Sequence, residues 1–306
     1  MVVSKDPVVG DRIDVRKTYK LYVGGTFPRS ESGRTYAVHG PDGTDGAVLA
    51  QAAHASRKDA RDAVVAARSA FAGWSSATAY NRGQVLYRVA EMLEGRTAQF
   101  AELVARAEGL DDAGACRQVA AAVDRWVWYA GWTDKVVQVA GNANPVAGPY
   151  FNLSVPEPTG VVAVLAPQRS SLLGLTSVIA PVIATGNTCV VVTSFARPLP
   201  AVALAEVLAT SDMPGGVVNL LTGSAAELGP WLASHRDVEA IDLTGAASLV
   251  EPTWGDLEAA ASDTLTRVRR PDDLPDGAEP DWSEVPDIRR MLDFMEIKTV
   301  WHPKGR

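Results

Sequence analysis

Residues 157–250 predict a doubly wound α/β fold built on a parallel sheet. Short runs of apolar, β-branched residues alternate in this window with stretches of helix length, and Gly or Pro marks most changes from one to the next. Runs that are apolar throughout indicate strands buried on both faces, and such strands need a layer of helices on each side of the sheet. Folds of this class bind ligands beyond the carboxyl ends of their strands.

The first strand of this window is predicted at residues 160–165, a short apolar run that Pro167 stops. A helix is expected to follow at 172–184, because Gly186 and Asn187 are typical of a helix C-terminus. The same alternation continues to residue 250. It predicts further strands at 189–192, 217–220 and 238–241 and further helices at 200–209 and 225–233.

The composition is that of an ordinary globular protein. The chain has 306 residues, 47% of them hydrophobic and 21% charged, with a net charge of -7 and a pI near 5.2. This acidity argues against nucleic acid or an anionic membrane as the main partner, and no apolar run is long enough for a membrane span. The N-terminus lacks the apolar core of a signal peptide. Two cysteines without an evident partner fit a reducing compartment, so a cytoplasmic location is expected.

Helices are predicted to dominate the first 132 residues. Ser56 and Asp59 form a capping box that begins a helix, which Gly73-Trp74 is expected to end. The apolar positions of residues 81–107 share one face and predict a single amphipathic helix. A later helix ends in four aromatic residues within 126–132. Packing in the core or at an interface is favoured over stacking on nucleobases, because the region has little basic charge.

Strands are predicted on either side of these helices. Residues 21–28 place a Gly-Gly turn between apolar stretches and predict a hairpin, which a second turn and strand follow at 32–36. Residues 135–139 and 150–155 are expected to form two strands around a loop rich in Gly, Asn and Pro.

Four motifs follow one another through the α/β window. They are Glu157-Pro158-Thr159-Gly160-Val161-Val162, Gly186-Asn187-Thr188, Pro214-Gly215-Gly216-Val217-Val218-Asn219 with Thr222-Gly223, and Leu243-Thr244-Gly245. Their order and spacing resemble those of the NAD(P)-dependent aldehyde dehydrogenase superfamily. The resemblance implies a Rossmann-like cofactor-type domain at 157–250, with its hairpin and N-terminal helices at 1–132. It also implies a projecting β-ribbon at 133–156 that builds the oligomer.

Most residues to which the family resemblance assigns a role in catalysis or cofactor binding are replaced in these motifs. Where the family has Pro-Trp-Asn, whose amide helps to hold the oxyanion, this chain has Pro167-Gln168-Arg169. The Lys that binds the adenine ribose is replaced within Val192-Thr193-Ser194-Phe195, which leaves cofactor hydroxyls unpaired at a cost of roughly 1–3 kcal/mol each. The second Gly of Thr-Gly-x-Gly is Ala225, and the Ser of Thr-Gly-Ser is Ala246. A helix N-terminus there could still bind an anion, but weak NAD(P) binding or none is expected, and no cofactor-binding residue is assigned.

The resemblance also implies that the catalytic residues are missing. In the family, a Glu-Leu-Gly-Gly segment with the general base follows the Thr-Gly-Ser turn, and a separate domain carries the nucleophilic Cys. Here the chain runs into an acidic, Pro-rich connector at 251–287. Cys116 and Cys189 are both expected to be inert core thiols. No catalytic residue is assigned, and the four scattered histidines give no metal site.

The C-terminal residues 288–306 are expected to form a short helix and an alternating, half-buried strand. The run from 296 to 300 is close to the Glu-Val-Lys-Thr-Val strand near the end of many aldehyde dehydrogenases, which in the family pairs with a neighbouring subunit. It predicts an oligomer contact formed by Glu296, Ile297, Lys298, Thr299, Val300 and Trp301.

The resulting hypothesis is a pseudoenzyme, a non-catalytic subunit that docks on a complete aldehyde dehydrogenase homologue or on itself. The chain also resembles the degenerate second half of fused, two-module aldehyde dehydrogenases. Two other functions stay open. One is a nucleotide-sensing module, and the other is an oxidoreductase of the same family whose altered chemistry uses the five hydrogen-bond donors of Arg169.

Overall fold

The computed structural model describes residues 17–41 and 48–305, and these form three sheets surrounded by helices. The strands are β1 (Thr18–Tyr19), β2 (Thr35–His39), β3 (Val48–Ala53), β4 (Asn142–Asn144), β5 (Tyr150–Pro158), β6 (Val161–Leu165), β7 (Thr188–Val192), β8 (Val218–Leu221), β9 (Ala240–Asp242), β10 (Arg267–Arg269) and β11 (Met295–Pro303). The helices are α1 (Arg57–Ser76), α2 (Ala79–Glu94), α3 (Thr97–Glu108), α4 (Asp112–Trp132), α5 (Val136–Ala140), α6 (Leu173–Ala184), α7 (Leu199–Leu208), α8 (Ala225–Ala233), α9 (Trp254–Ser262) and α10 (Arg289–Leu292).

The central sheet confirms the predicted doubly wound fold. Its five strands are parallel and lie in the order β10-β9-β6-β7-β8. Successive residues of β6 face opposite cores. Val162 and Val164 pack in a core shared with α2, α4 and α6, while Val161, Ala163 and Leu165 pack in a second core shared with α1, α8 and α9. A strand buried on both faces must be apolar at every position, which is why β6 reads as a continuous run.

Helix α1 is longer than predicted. The capping box at Ser56–Asp59 is present, but the helix does not stop at Gly73 and continues to Ser76. Trp74 provides the reason. Its side chain is buried, and its indole N–H donates to the carbonyl of Ile183 at 2.9 Å. This contact holds the last turn of α1 against α6 and outweighs the weak helix propensity of glycine.

The single amphipathic helix predicted at 81–107 is two helices, and that prediction was wrong. Helix α2 ends at Glu94 and α3 begins at Thr97, with Gly95 and Arg96 between them. Both helices pack on α4, so the apolar period continues across the break while the backbone turns. The aromatic end of α4 contributes to the core as expected, with Trp126 and Tyr129 buried.

One predicted strand has another structure. Residues 135–139 lie mostly in the short helix α5, in which only Val136 among the valines is buried and no face alternates.

The tight turn predicted within residues 21–28 is present. Val23 and Thr26 form an antiparallel bridge around Gly24 and Gly25, with two backbone hydrogen bonds of 3.0 Å. The N–H of Leu21 also donates to the carbonyl of Pro28 at 3.1 Å. The local pairing is short, and Tyr22 makes a further isolated antiparallel bridge to Leu220 at the edge of the central sheet.

The connector predicted at 251–287 is only partly irregular. Its first half contains α9 and then β10, which pairs in parallel with β9 and completes the central sheet. Residues 271–287 contain only a 3-10 turn at Pro275–Gly277. Strand β10 was not predicted from the sequence, because this three-residue edge strand is not fully buried and therefore has no apolar run.

The third sheet brings together the ribbon and the C-terminal strand, in the order β11-β5-β4. Strand β11 pairs antiparallel with β5 along its whole length, from Met295 opposite Pro158 to Pro303 opposite Tyr150. Both predicted strands are therefore present and somewhat longer than predicted. The prediction that the C-terminal strand is half-buried was wrong, because β11 is exposed at every residue after Met295. In the part of the chain that the structure describes, no helix is long and apolar enough to cross a membrane.

Candidate functional site

The crevice of the central sheet lies between the carboxyl ends of β6 and β9. The chain proceeds from β6 through β7 to β8 in one direction and then returns to place β9 on the other side of β6. Ligands of doubly wound folds bind at such a reversal of strand order. The walls of the crevice are the β6–α6 loop (residues 166–172) and the β9 turn (residues 243–249).

The β6–α6 loop carries the residues that replace Pro-Trp-Asn. The side chain of Gln168 accepts a hydrogen bond from the N–H of Phe195 at 3.1 Å and donates to the carbonyl of Ala166 at 2.7 Å. It therefore links the ends of β6 and β7 and is not free for a ligand. The side chain of Arg169 is exposed at the rim, beside Glu108 and Arg197.

Glu279, from the irregular segment, occupies this loop. One carboxylate oxygen accepts the N–H groups of Gln168 and Arg169 at 2.5 and 2.7 Å. The other accepts the N–H of Ser170 at 3.2 Å and the indole N–H of Trp282 at the same distance. Three successive N–H groups before a helix form an anion-binding concavity. Here the anion is a side chain of the same protein.

Glu108, at the end of α3, completes the capping of the loop. One oxygen of its carboxylate accepts both the N–H and the hydroxyl of Ser171, at 2.7 and 2.6 Å. Burial raises the pKa of this carboxyl above its usual value, and the two hydrogen bonds from Ser171 partly offset that shift. Four successive N–H groups ahead of α6 are thus bonded to two internal carboxylates.

The β9 turn does not start a helix where the family resemblance places one. Thr244–Ala246 form a single 3-10 turn, and the next helix begins only at Trp254. The helix N-terminus that could have bound an anion is therefore absent from this turn, and the expectation that a helix starts here was wrong. The Thr244 hydroxyl donates to the buried carboxylate of Asp242 at 2.5 Å. Gly245 packs so closely on the β6–α6 loop that an added Cβ would lie 1.9 Å from the carbonyl oxygen of Ala166.

The end of β7 is also closed by internal contacts. The Ser194 hydroxyl donates to the carbonyl of Gln168 at 2.8 Å. Phe195 stacks on Tyr36 with ring centroids 4.5 Å apart and planes 7° from parallel, and His54 meets both rings edge-on. An aromatic cluster replaces the polar contact to a ribose that the family resemblance implies.

The residues of the crevice do not fit a dinucleotide cofactor. The N–H groups of the β6–α6 loop hold carboxylates, the β9 turn offers neither a free hydroxyl nor a helix terminus, and the end of β7 is aromatic. A phosphate brought here would meet the negative charges of Glu279 and Glu108 at close range.

The structure brings neither cysteine into a catalytic arrangement. Cys189 is buried in β7, and burial raises the pKa of its thiol far above the ordinary value, so it stays protonated. Cys116 is exposed on α4, which contradicts the prediction that both thiols lie in the core. Its position near the start of the helix leaves its side chain on the solvent-facing side.

The strand that follows the β9 turn carries no general base. Strand β10 ends at Arg269, whose guanidinium pairs with Asp293 at 2.5 Å, and a permanently charged arginine cannot accept a proton. Within residues 17–41 and 48–305 there is no group of three His, Cys, Asp or Glu side chains arranged to hold a metal ion.

The six residues predicted as an oligomer contact all lie on β11, at one edge of the third sheet. Their side chains are exposed, with 59% of Ile297, 45% of Val300 and 59% of Trp301 accessible to solvent. Sequence reasoning did not predict that β11 pairs with the ribbon of its own chain. It also missed Glu279, because a contact across more than a hundred residues has no local sequence signal.

Comparison with known proteins agrees with these features of the fold. The aldehyde dehydrogenase family model matches residues 27–265. Cytosolic 10-formyltetrahydrofolate dehydrogenase of Mus musculus is 34% identical over 250 residues, which cover 78% of this chain and 27% of that protein. An aldehyde dehydrogenase of Davidiella tassiana is 33% identical over 253 residues, covering 81% of this chain and 49% of the relative.

Solved structures match the same region. An aldehyde dehydrogenase from Bacillus cereus in complex with NAD+ superposes with a TM-score of 0.75 at 27% identity, covering 82% of this chain and 50% of that one. PnpE from Pseudomonas sp. WBC-3 gives a TM-score of 0.76 at 29% identity with the same coverage. The chain thus spans about half the length of these solved structures and of the Davidiella tassiana relative, and 27% of the Mus musculus protein. Because the family model covers most of the chain and the central sheet has the matching fold, the protein belongs to the aldehyde dehydrogenase family.

Proposed function

We propose that this protein is a non-catalytic aldehyde dehydrogenase homologue that assembles with a complete aldehyde dehydrogenase, or with a second copy of itself, through the β11-β5-β4 sheet. The observation that carries the proposal is the apolar surface of this sheet. A nine-residue strand with mostly exposed side chains lies at its edge, and such an edge is a template for pairing with another chain.

Both faces of the sheet support docking. The register places Val300 beside Leu153 and Phe151 on one face, and all three side chains are about half exposed. On the opposite face, Trp301 packs edge-on against Tyr150 with ring centroids 5.8 Å apart. Exposed apolar groups in one contiguous patch are typical of interaction sites. Charged residues lie beside these apolar groups, since Lys298 pairs with Glu157 and Lys304 lies over the Phe151 ring, as at the rim of an interface.

The absence of catalysis is proposed on chemical grounds. The family resemblance calls for an activated thiolate, a carboxylate base and a bound dinucleotide. The described residues offer a protonated, buried Cys189, an arginine at the end of β10 and a crevice that holds its own carboxylates. The Bacillus cereus relative was solved with NAD+, and we propose that this chain does not bind that cofactor. Two unpaired thiols support a reducing, cytoplasmic location.

The docking proposal is tested by capture of a complete aldehyde dehydrogenase from the same genome on the immobilised full chain. Val300→Glu and Trp301→Glu place a charge on each face of β11 and are expected to reduce capture at least about tenfold, because an unpaired charge is expensive in an apolar interface. Val65→Glu is the matched control, since Val65 is 61% exposed on α1, outside the sheet.

Equal capture by wild type, the β11 variants and the control would place the contact elsewhere and contradict the proposed surface. Turnover of an aldehyde with NAD+ by the isolated chain would contradict the proposed lack of catalysis.

A further inference from the structure

The acidic segment after β10 packs over the crevice of the central sheet. We call residues 271–294 the tail. Glu279 reaches the wall formed by the β6–α6 loop. Two residues earlier, Gly277 lies against the β9 turn, where an added Cβ would be 2.8 Å from the carbonyl oxygen of Ala247. The tail therefore bridges both walls at the reversal of strand order.

An apolar contact fixes the tail beside the first turn of α6. Trp282 is 9% exposed and belongs to the main hydrophobic core. Its indole nitrogen lies 3.0 Å from the position of a Cβ added to Gly174, so the absence of a side chain there makes room for the ring. Burial of the Trp282 side chain makes a large favourable contribution to the free energy that holds the tail against the core. A loosely attached connector would lack this contribution.

Two arginines hold the tail in place, Arg125 from α4 and Arg290 from the tail itself. Arg125 of α4 is 7% exposed and donates to the backbone carbonyls of Trp282 and Glu284 at 2.6 and 2.9 Å. Arg290 packs over the Trp282 ring at 5.0 Å and pairs with the fully buried carboxylate of Asp242 at 3.2 Å. This last contact lies at the carboxyl end of β9, inside the crevice. Removing either partner would leave a charge with little access to water.

We propose that the tail is a built-in ligand of the crevice, in which the Glu279 carboxylate takes the place that a phosphate of a dinucleotide or another phosphate ester would occupy. The inference deepens the proposed loss of NAD(P) binding by naming the group that closes the site. It does not depend on the docking surface, since none of the tail contacts described above involves β11.

The charge and the covalent attachment of Glu279 explain why the N–H groups of the β6–α6 loop bind its carboxylate. A carboxylate that accepts several backbone N–H groups makes charge-assisted hydrogen bonds, which are stronger than neutral ones. Because Glu279 is covalently attached, it is present at a high effective concentration that a free ligand has to exceed. A phosphate-bearing ligand can therefore bind only to molecules in which the tail has left.

Hydrogen exchange of the full chain tests this inference. In the wild type, the amides of residues 168–170 are expected to be protected. Glu279→Ala is expected to speed their exchange at least about tenfold, because each amide loses a charged acceptor. Glu279→Gln keeps the size and one acceptor oxygen and should give an intermediate rate. Glu284→Ala is the control, since the Glu284 side chain is exposed in the same tail and its hydrogen bonds are made by its backbone N–H and carbonyl.

Inorganic pyrophosphate provides the second measurement. It is expected to slow exchange at 168–170 in Glu279→Ala and to have no effect in the wild type. Equal exchange rates in the wild type and Glu279→Ala, or no effect of pyrophosphate on the variant, would overturn the inference. The inference would also be overturned if pyrophosphate slowed amide exchange at residues 168–170 of the wild type while the amides of the tail remained protected. Binding of NAD+ by the wild type with displacement of the tail would leave the inference intact and contradict only the proposed loss of the cofactor.

Discussion

At the scale of single residues, the family motifs retain residues with structural roles, such as Asn187 and Asn219. The residues to which the family resemblance assigns cofactor binding or catalysis are replaced. The side chain of Asn187 is fully buried, accepts the N–H of Gly160 at 2.7 Å and donates to the carbonyl of Phe294 at 2.8 Å. Asn219 accepts the N–H of Gly24 at 2.9 Å and donates to the carbonyls of Cys189 in β7 and Gly216 in the turn before β8. These amides hold neighbouring segments to the sheet, so they are needed for folding whether or not the protein binds a cofactor.

Glu108 gives a pH-dependent prediction. Burial raises its pKa above the usual 4.5, so the protonated form is the one that folding favours. Its contribution to stability is present below about pH 4.5 and is lost as the pH rises through the folded-state pKa. We expect the free energy of unfolding of the wild type, relative to Glu108→Gln, to fall as the pH rises above about 4.5.

Urea unfolding at several pH values measures this difference, with Glu102→Gln as the control because Glu102 is exposed on the same helix. A difference that grows as the pH rises would show that the Ser171 hydrogen bonds outweigh burial, contrary to the expected sign.

At the scale of elements, the sequence predicts what is periodic or buried and misses what depends on distant packing. The four strands and three helices of the 157–250 window are found within about two residues of their predicted bounds, because strands buried on both faces have an unambiguous composition. The break at Gly95 and the helical form of α5 were missed. Both are decided by contacts with other elements rather than by the local pattern.

The candidate site was predictable only in part. Replacements at Gln168, Arg169 and Phe195 indicate from sequence alone that the cofactor contacts have changed. That the acidic tail fills the crevice could not be predicted, because Glu279 is one of many carboxylates in a segment without periodicity.

The close approach of the β9 turn to the β6–α6 loop gives a prediction at this scale. Gly245→Ala is expected to destabilise the fold by about 3 kcal/mol, since the new methyl group meets the backbone of Ala166 and not a flexible side chain. Gly73→Ala is the matched control. Gly73 lies within α1 with open space around its Cβ position, and the change should stabilise by about 0.5–1 kcal/mol.

Denaturant unfolding measures both variants. If Gly245→Ala is as stable as the wild type, the turn and the loop are not packed as described.

At the scale of the whole molecule, the chain combines a complete central sheet with an exposed β-ribbon. Residues 270–294 lead from β10 to β11 with only a 3-10 turn and α10 between them. The apolar side chains of β5 and β11 then remain in water unless another chain covers them. We therefore expect this surface to control how the protein assembles, while the crevice is satisfied internally and has no part in assembly.

The mass of the native complex tests the central claim most directly. The full chain is co-expressed with a complete aldehyde dehydrogenase from the same genome, and its native mass is compared with that of the chain alone. A stable mixed oligomer that Trp301→Glu disrupts and Val65→Glu leaves intact is the predicted result. Two separate species, each composed of one kind of chain and unaffected by Trp301→Glu, would contradict the proposed assembly.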